Sequence, residues 1–255
     1  MTRIRIAAVS YLNTIPFIYG IEHGSNDLRA ELVLSPPSGC AAALRNGQAD
    51  IALLPVAAHA AFPDFEPITS YCIGAHGPVR TVVLASNTPL SALHTIHLDS
   101  HSLTSVQLVR LLCAELWHLT PQWEPLYDYT LPQQHEPGHG YLLIGDKVFE
   151  HESHFTYIYD LAAAWQELTG LPFVFAAWVA PRQTDALVID ALEKALAYGV
   201  GHVDEAIAES SYADRPYAHD YLTRNIDFRL DPSKRQAMEL FRQKILEAEP
   251  PADPG

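Results

Sequence analysis

Short apolar runs alternate with amphipathic stretches along most of this 255-residue chain. Ile4, Ile6, Ala8 and Val9 read as a buried strand. The strand stops at Ser10-Tyr11-Leu12-Asn13-Thr14, and Pro16 to Ile21 reads as the first turns of a helix. Asn13 suits an N-cap there, because its side-chain oxygen can accept from a free amide of the first turn. Leu28 to Leu34 predicts a second strand. After Ser35-Pro36-Pro37-Ser38-Gly39, residues 40–46 favour helix, and Gly47 ends it. Asp50-Ile51-Ala52-Leu53-Leu54 is the continuous run expected of a strand buried on both faces. Pro55 to Ala58 opens another helix. Such β-α-β-α-β-α order implies a parallel sheet with right-handed crossovers.

Ile68 to Ile73 and Val79 to Leu84 predict two further strands around a turn at 74–78. Arg80 interrupts the second, either as a solvated edge charge or as a carboxylate partner facing a cleft. Residues 85–91 read as a linker, and the βα pattern then restarts. Thr95 to Leu98 is a strand ending in Asp99, and Val106 to Leu116 is a helix. Ser102, Thr104 and Ser105 therefore fall at a helix N-terminus directly after a strand. Hydroxyls beside free amides can hold an oxyanion there without net charge, and capping needs only one of them. Gln122 to Tyr127 and Tyr141 to Ile144 predict strands around a polar loop at 133–140. Asp146 follows the second strand, either facing the same carboxyl-end cleft or capping the next helix.

Tyr159 to Leu168 reads as a helix ended by Gly170, and Leu171 to Trp178 as a strand returning to the first lobe. A second hinge is expected at 178–181. Thr184 to Tyr198, His202 to Ser211 and Ser233 to Glu247 predict helices, and the tail from Ala248 is expected to be disordered. The fold class is α/β with two lobes: 1–86 plus 180–255, and 87–179. Two lobes joined by two strands suit hinge bending, with ligand at the carboxyl ends of the strands.

Charge and composition narrow the function. The formal net charge is −14, from 16 basic and 30 acidic residues. That balance argues against nucleic acid and anionic membrane surfaces as partners, but not against a small anion held by amides and hydroxyls. Cys40, Cys72 and Cys113 form no CxxC, so reduced buried thiols and a cytoplasmic setting are expected. The first residues lack a signal-peptide pattern, and no stretch of about 18 apolar residues predicts a membrane span. No metal is expected. His94, His97 and His101 straddle a strand, where 94 and 97 face opposite sides, and His151 and His154 are three apart rather than the four of HExxH.

Several segments stand in a telling order: Ser10-Tyr11-Leu12-Asn13-Thr14 with Pro16, Pro37-Ser38, Gly47-x-x-Asp50-Ile51-x-Leu53-x-Pro55-Val56, and Gly77-Pro78-Val79-Arg80-Thr81-Val82. Leu98-Asp99-x-x-Ser102-x-Thr104-Ser105, Gly145-Asp146 and Thr169-Gly170-Leu171-Pro172-Phe173-Val174-Phe175-Ala176-x-Trp178 continue it. The ordered set, over about residues 3 to 180, resembles the chorismate dehydratase family of the futalosine route to menaquinone. Thr81 stands where serine is commoner, and the C-terminal third adds little to the likeness.

The resemblance implies a type-2 periplasmic-binding-protein fold, with mixed, mostly parallel sheets, used in the cytoplasm as a hydro-lyase. Chorismate would be the substrate, 3-[(1-carboxyvinyl)oxy]benzoate and water the products, and no cofactor would be needed. On this reading Thr104, Ser105 and Ser102 serve one carboxylate, and Ser38 with Arg80 or Thr81 serves the other. Asn13 meets the reacting centre or leaving hydroxyl, Asp146 is a base or orienter, and Ser10 and Tyr11 contribute to binding. Two other readings share the fold: a non-catalytic binding or sensing protein for a small carboxylate, and the pathway's dihydroxynaphthoate synthase. The synthase opens instead with a Ser-Pro-Cys-Pro-Asn-Asp-like stretch and relies on a histidine base; this chain has neither that opening nor a histidine at 145–146.

Overall fold

The computed structural model describes residues 3–24, 27–100, 102–127 and 136–248. In chain order its elements are β1 (Ile4–Val9), α1 (Ile15–His23), β2 (Ala30–Ser35), α2 (Pro37–Arg45), β3 (Ile51–Pro55), β4 (Phe65–Ala75), β5 (Val82–Ser86) and β6 (Thr95–Asp99). Then come α3 (Thr104–Glu115), β7 (Gln122–Leu126), β8 (His139–Ile144), α4 (Lys147–His151), β9 (Tyr157–Asp160), α5 (Leu161–Thr169) and β10 (Phe173–Pro181). The chain ends with α6 (Ala186–Gly201), α7 (Val203–Glu209), α8 (Arg215–Asp220), β11 (Asp227–Arg229) and α9 (Pro232–Ala248).

Among the described residues the strands form two mixed sheets, one ordered β11-β4-β10-β3-β1-β2 and the other β7-β6-β8-β5-β9. β1 pairs parallel with β2 and β3, whereas β10 runs antiparallel between β3 and β4. Every residue of β3 is buried, as its unbroken apolar run predicts for a central strand.

The crossings between lobes lie elsewhere than the linker composition suggests. β4 belongs to the first sheet and β5 to the second, so the chain crosses at 76–81 rather than at 85–91. Gly77 (φ +82°) and Arg80 (φ +67°) turn it there. Val82–Ser86 pairs with β8 and β9, and the polar stretch after it is only a turn inside the second lobe. The apolar run of β10 is a central strand of the first sheet, so the return falls at 170–172 rather than 178–181.

Other local readings also shift. Residues 157–160 form strand β9, and helix α5 begins only after Asp160. The Asp160 carboxylate accepts the amides of Ala162 and Ala163, both at 3.0 Å, and so caps that helix. The helix expected from Pro55 is a 3-10 turn over Val56–Ala61. Ala248 closes α9, and the rest of the tail lies outside the described residues, as do His101 and 133–135 of the polar loop.

One apolar core runs through both lobes. Phe17 of α1 meets Trp178 of β10 and Phe228 of β11 edge-to-face, at centroid distances of 5.7 and 5.2 Å. Trp165 of α5 meets Phe173 of β10 at 5.3 Å and Phe241 of α9 at 5.8 Å, which joins the lobes beside the return crossing. Burial pushes the thiols of Cys40, Cys72 and Cys113 up, to about 11, 12 and 12, so all three stay protonated and unreactive.

Candidate functional site

The carboxyl ends of β1 and β3 from one lobe face the β5, β8 and α3 ends of the other. Between them lies a cleft partly open to solvent, with about 570 Å³ of protein-free space when the solvent at its mouth is counted. Tyr11, Asn13, Thr81, Ser102, Thr104 and Ser105 supply most of its polar wall, and Val9, Leu53, Ile73 and Phe175 are among its apolar residues. Among the described residues no lysine, arginine, histidine or carboxylate side chain lines it.

Ten site residues were expected, and the structure brings six of them to this cavity. Ser10, at the end of β1, is exposed, and Ser38, in the first turn of α2, is half-buried; neither lines the wall, although the adjacent Pro37 does. Arg80 is not a strand residue. Its left-handed backbone turns it outward, where the guanidinium stands 3.6 Å from Glu152 and 5.3 Å from the Tyr217 ring. The edge-charge reading of Arg80 fits that position and the cleft-facing one does not.

Asn13 sits in a 3-10 turn, Leu12–Thr14, one residue ahead of the α1 cap, so it does not cap the helix. Its Oδ1 accepts the Thr14 hydroxyl at 3.0 Å, and its side chain lies near enough to the Tyr221 hydroxyl to lower that phenol's pKa. That hydroxyl lies 2.7 Å from Thr81 Oγ1. Tyr221 comes from the C-terminal third and is 2% exposed. The sequence reading missed it, because a tyrosine 140 residues from Thr81 carries no local sign of its neighbour.

At the N-terminus of α3, Ser102 Oγ accepts the Ser105 amide at 3.1 Å and does the capping. Ser105 keeps its hydroxyl for the cavity. Thr104 Oγ1 is already engaged across the cleft: it donates to the Phe175 carbonyl at 3.1 Å and accepts the Ala57 amide at 3.2 Å. Asp146 lies outside the wall, with both oxygens 3.2 Å from the Leu12 amide. Of the two roles read for it, base and orienter, this position suits orienting: it pins the turn that carries Asn13.

Burial pushes the Asp146 carboxyl up, against the lowering effect of the Leu12 amide. Burial, with Asp99 and Asp146 nearby, also pushes up the Tyr11 phenol, which remains a donor at neutral pH. The polar wall is thus neutral. Hydroxyls, an amide and the N-terminal dipoles of α2 and α3 are what it offers a ligand.

Among the described residues, the histidines lie away from this wall. His59 bonds the Leu54 carbonyl at 3.3 Å, and burial holds its pKa at about 4. His97 Nε2 lies 2.9 Å from His139 Nδ1 across β6 and β8. His76, Asp227 and Asp231 place donor atoms within 4.8 Å of one another, but the buried Lys234 ammonium already sits 2.7 Å from Asp227 Oδ2 and compensates that charge. Among the described residues no helix is long and apolar enough to cross a membrane.

Solved structures share the architecture at low identity. A protein from Archaeoglobus fulgidus, AF1704, aligns with a TM-score of 0.75 at 18% identity, covering 96% of this chain and 97% of that one. The Candida albicans CA3427 gene product, described as having the generic periplasmic binding protein fold, aligns at 0.70 and 14%, covering 99% and 92%. The periplasmic aliphatic sulphonate binding protein SsuA of Escherichia coli aligns at 0.66 and 16%, covering 97% and 91%. The fold is therefore that of periplasmic binding proteins. A family model described as menaquinone biosynthesis matches residues 4–247, nearly the whole length, and the chain belongs to that menaquinone biosynthesis family.

Proposed function

We propose that this enzyme of menaquinone biosynthesis is a chorismate dehydratase, releasing 3-[(1-carboxyvinyl)oxy]benzoate and water. One observation carries the reading: an inter-lobe cavity whose polar wall is made of neutral donors and helix N-termini. Chorismate is a dianion that lacks only the loss of water to become aromatic. Dehydration removes the ring hydroxyl and the hydrogen on the adjacent, ether-bearing carbon. Aromatisation supplies the driving force, so the protein has to orient the ring and stabilise the departing oxygen.

Ser105, the amides around it and the first turn of α2 hold carboxylates in this scheme. Asn13 and Thr81 donate to the departing hydroxyl. With no basic side chain in the wall among the described residues, the proton passes to the substrate's own enolpyruvyl carboxylate. The opening Ser10-Tyr11-Leu12-Asn13 and the lack of a histidine at 145–146 weigh against the sister synthase, whose chemistry needs a histidine. Purified protein incubated with chorismate, followed by aromatic absorbance and by mass spectrometry of the product, tests the reading. Chorismate bound but unchanged would make this a binding protein, and chorismate ignored would remove the assignment.

Asp146 adds a pH-dependent prediction. Its folded pKa is raised, so the ionised form costs stability at neutral pH, and that cost vanishes once the carboxyl is protonated. Asp146→Asn keeps an oxygen for the Leu12 amide. It is expected to be at least as stable as the parent at pH 7, and to lose that advantage below about pH 4, the ordinary carboxylate range. Thermal unfolding of both proteins between about pH 3 and pH 8 checks this; a constant difference across the range refutes it.

A further inference from the structure

We infer that Tyr221 is a positioning residue for the two groups assigned to the departing oxygen, and this rests on the dehydratase reading. Tyr221 opens a π-helical turn, Tyr221–Asn225, of the kind that often marks functional sites. It is buried behind the cavity wall and does not line it. Its hydroxyl lies 2.7 Å from one group that does, Thr81 Oγ1, and the Asn13 side chain, a second wall group, is near enough to lower its pKa.

Hydrogen-bond directions can be assigned around this hub. Asn13 Oδ1 accepts the Thr14 hydroxyl, and the Asn13 side chain lowers the pKa of the Tyr221 phenol, the effect of a donor, so its Nδ2 is the group that faces the phenol oxygen. A phenol is the stronger acid of the phenol–alcohol pair, so Tyr221 donates to Thr81 rather than the reverse. Burial pushes the Tyr221 phenol up, so it keeps that proton. Two hydrogens are then left for the cavity: the Thr81 hydroxyl proton and the second Nδ2 hydrogen of Asn13. Both have their directions set from behind by one oxygen. This is the preorganisation that stabilises a leaving hydroxyl, and it comes from a segment of the chain with no wall residue of its own.

The arrangement separates positioning from packing. The Tyr221 ring meets Phe149 of α4 at 5.6 Å, and phenylalanine at 221 would keep that contact. Tyr217, in the adjacent α8, also meets Phe149, at 4.5 Å, but its buried hydroxyl has no hydrogen-bond partner. Tyr217→Phe therefore removes the same atom from the same region without touching the wall.

The test compares parent, Tyr221→Phe and Tyr217→Phe on chorismate, with kcat and KM separated. Tyr221→Phe is expected to lower kcat by about 10- to 100-fold with KM within about 3-fold, the pattern of a lost transition-state interaction. Tyr217→Phe is expected to stay within about 2-fold of the parent in both. Equal kcat in parent and Tyr221→Phe, or equal losses in both variants, would overturn the inference.

A second readout does not depend on turnover. The Asn13 side-chain amide resonances, assigned by their absence in Asn13→Ala, should move toward free-amide shifts and exchange faster in Tyr221→Phe. Unchanged resonances would show that Tyr221 does not hold Asn13, whatever the substrate. An inert parent with the shift still present would remove the dehydratase reading and leave the positioning role standing.

Discussion

Asn13→Ala is expected to lower kcat on chorismate by roughly 10²–10³-fold, the loss seen when one preorganised donor to a departing or developing oxyanion is removed. Asn13 sits in the 3-10 turn Leu12–Thr14, fixed by three contacts of different origin. The Thr14 hydroxyl holds its carbonyl, the Tyr221 hydroxyl lies beside its side chain, and Asp146 of the other lobe holds the preceding backbone amide at 3.2 Å. Truncation leaves the Tyr221 hydroxyl with Thr81 alone and opens space for water beside the reacting carbon. Fold stability should change little, because Asn13 is only half-buried and α1 begins beyond it. Single-turnover assays of product formation, beside a thermal melt, separate the two effects. A variant that turns over within 3-fold of about the parental rate would remove Asn13 from the chemistry.

Much of the fold was legible because its central strands are apolar on both faces. β1 sits where its spaced apolar positions predict and β3 where its unbroken run does, and β10 reads as a strand from its apolar run although it belongs to the first sheet rather than the second lobe. What local pattern could not show was pairing. Val82–Ser86 has the same apolar character whichever sheet it joins, and only its bonds to β8 and β9 decide that. Serine, asparagine, threonine and proline at 86–89 resemble a linker equally well inside a lobe. Arg80 looked like a strand residue because its neighbours are apolar, whereas its φ of +67° takes it out of any strand.

The site divides along the same line. Hydroxyls at a strand-to-helix junction, such as Ser102 and Ser105, were visible because capping chemistry is local. Ser10 and Ser38 have equally suitable chemistry but lie outside the wall, since the direction of one side chain at a strand or helix end depends on packing a full lobe away. Thr104 combines the two: it lines the cavity, yet its hydroxyl bonds Ala57 and Phe175 across the cleft. Tyr221 and Asp146 act from behind, through contacts 140 and 134 residues away in sequence. Contacts from both lobes fix the turn that carries Asn13.

Gly199→Ala should be the most damaging substitution outside the cavity, because it separates the helix that follows Asn13 from its support. α1 lies along α6, and the two backbones approach closely at Gly20 and Gly199. A methyl group on Gly199 would fall within the van der Waals envelope of the Pro16 carbonyl oxygen and stand 2.8 Å from the Gly20 amide nitrogen. Every one of these obstacles is backbone, so no side-chain rotation relieves the clash and α1 has to move. Overpacking of this kind costs up to about 3 kcal/mol or more. For a chain of this size that corresponds to a Tm lower by roughly 6–12 °C. Pro16 lies three residues beyond Asn13, so the shift reaches the 3-10 turn directly, and a displacement near 1 Å can cost about 10²-fold in rate. Activity should therefore fall at temperatures where circular dichroism still reports a folded protein. Gly201→Ala, two positions on, meets nothing within 4 Å and should leave both stability and turnover near the parental values. A Gly199→Ala protein that melts with the parent and retains its rate would show that α1 is free to move without disturbing Asn13.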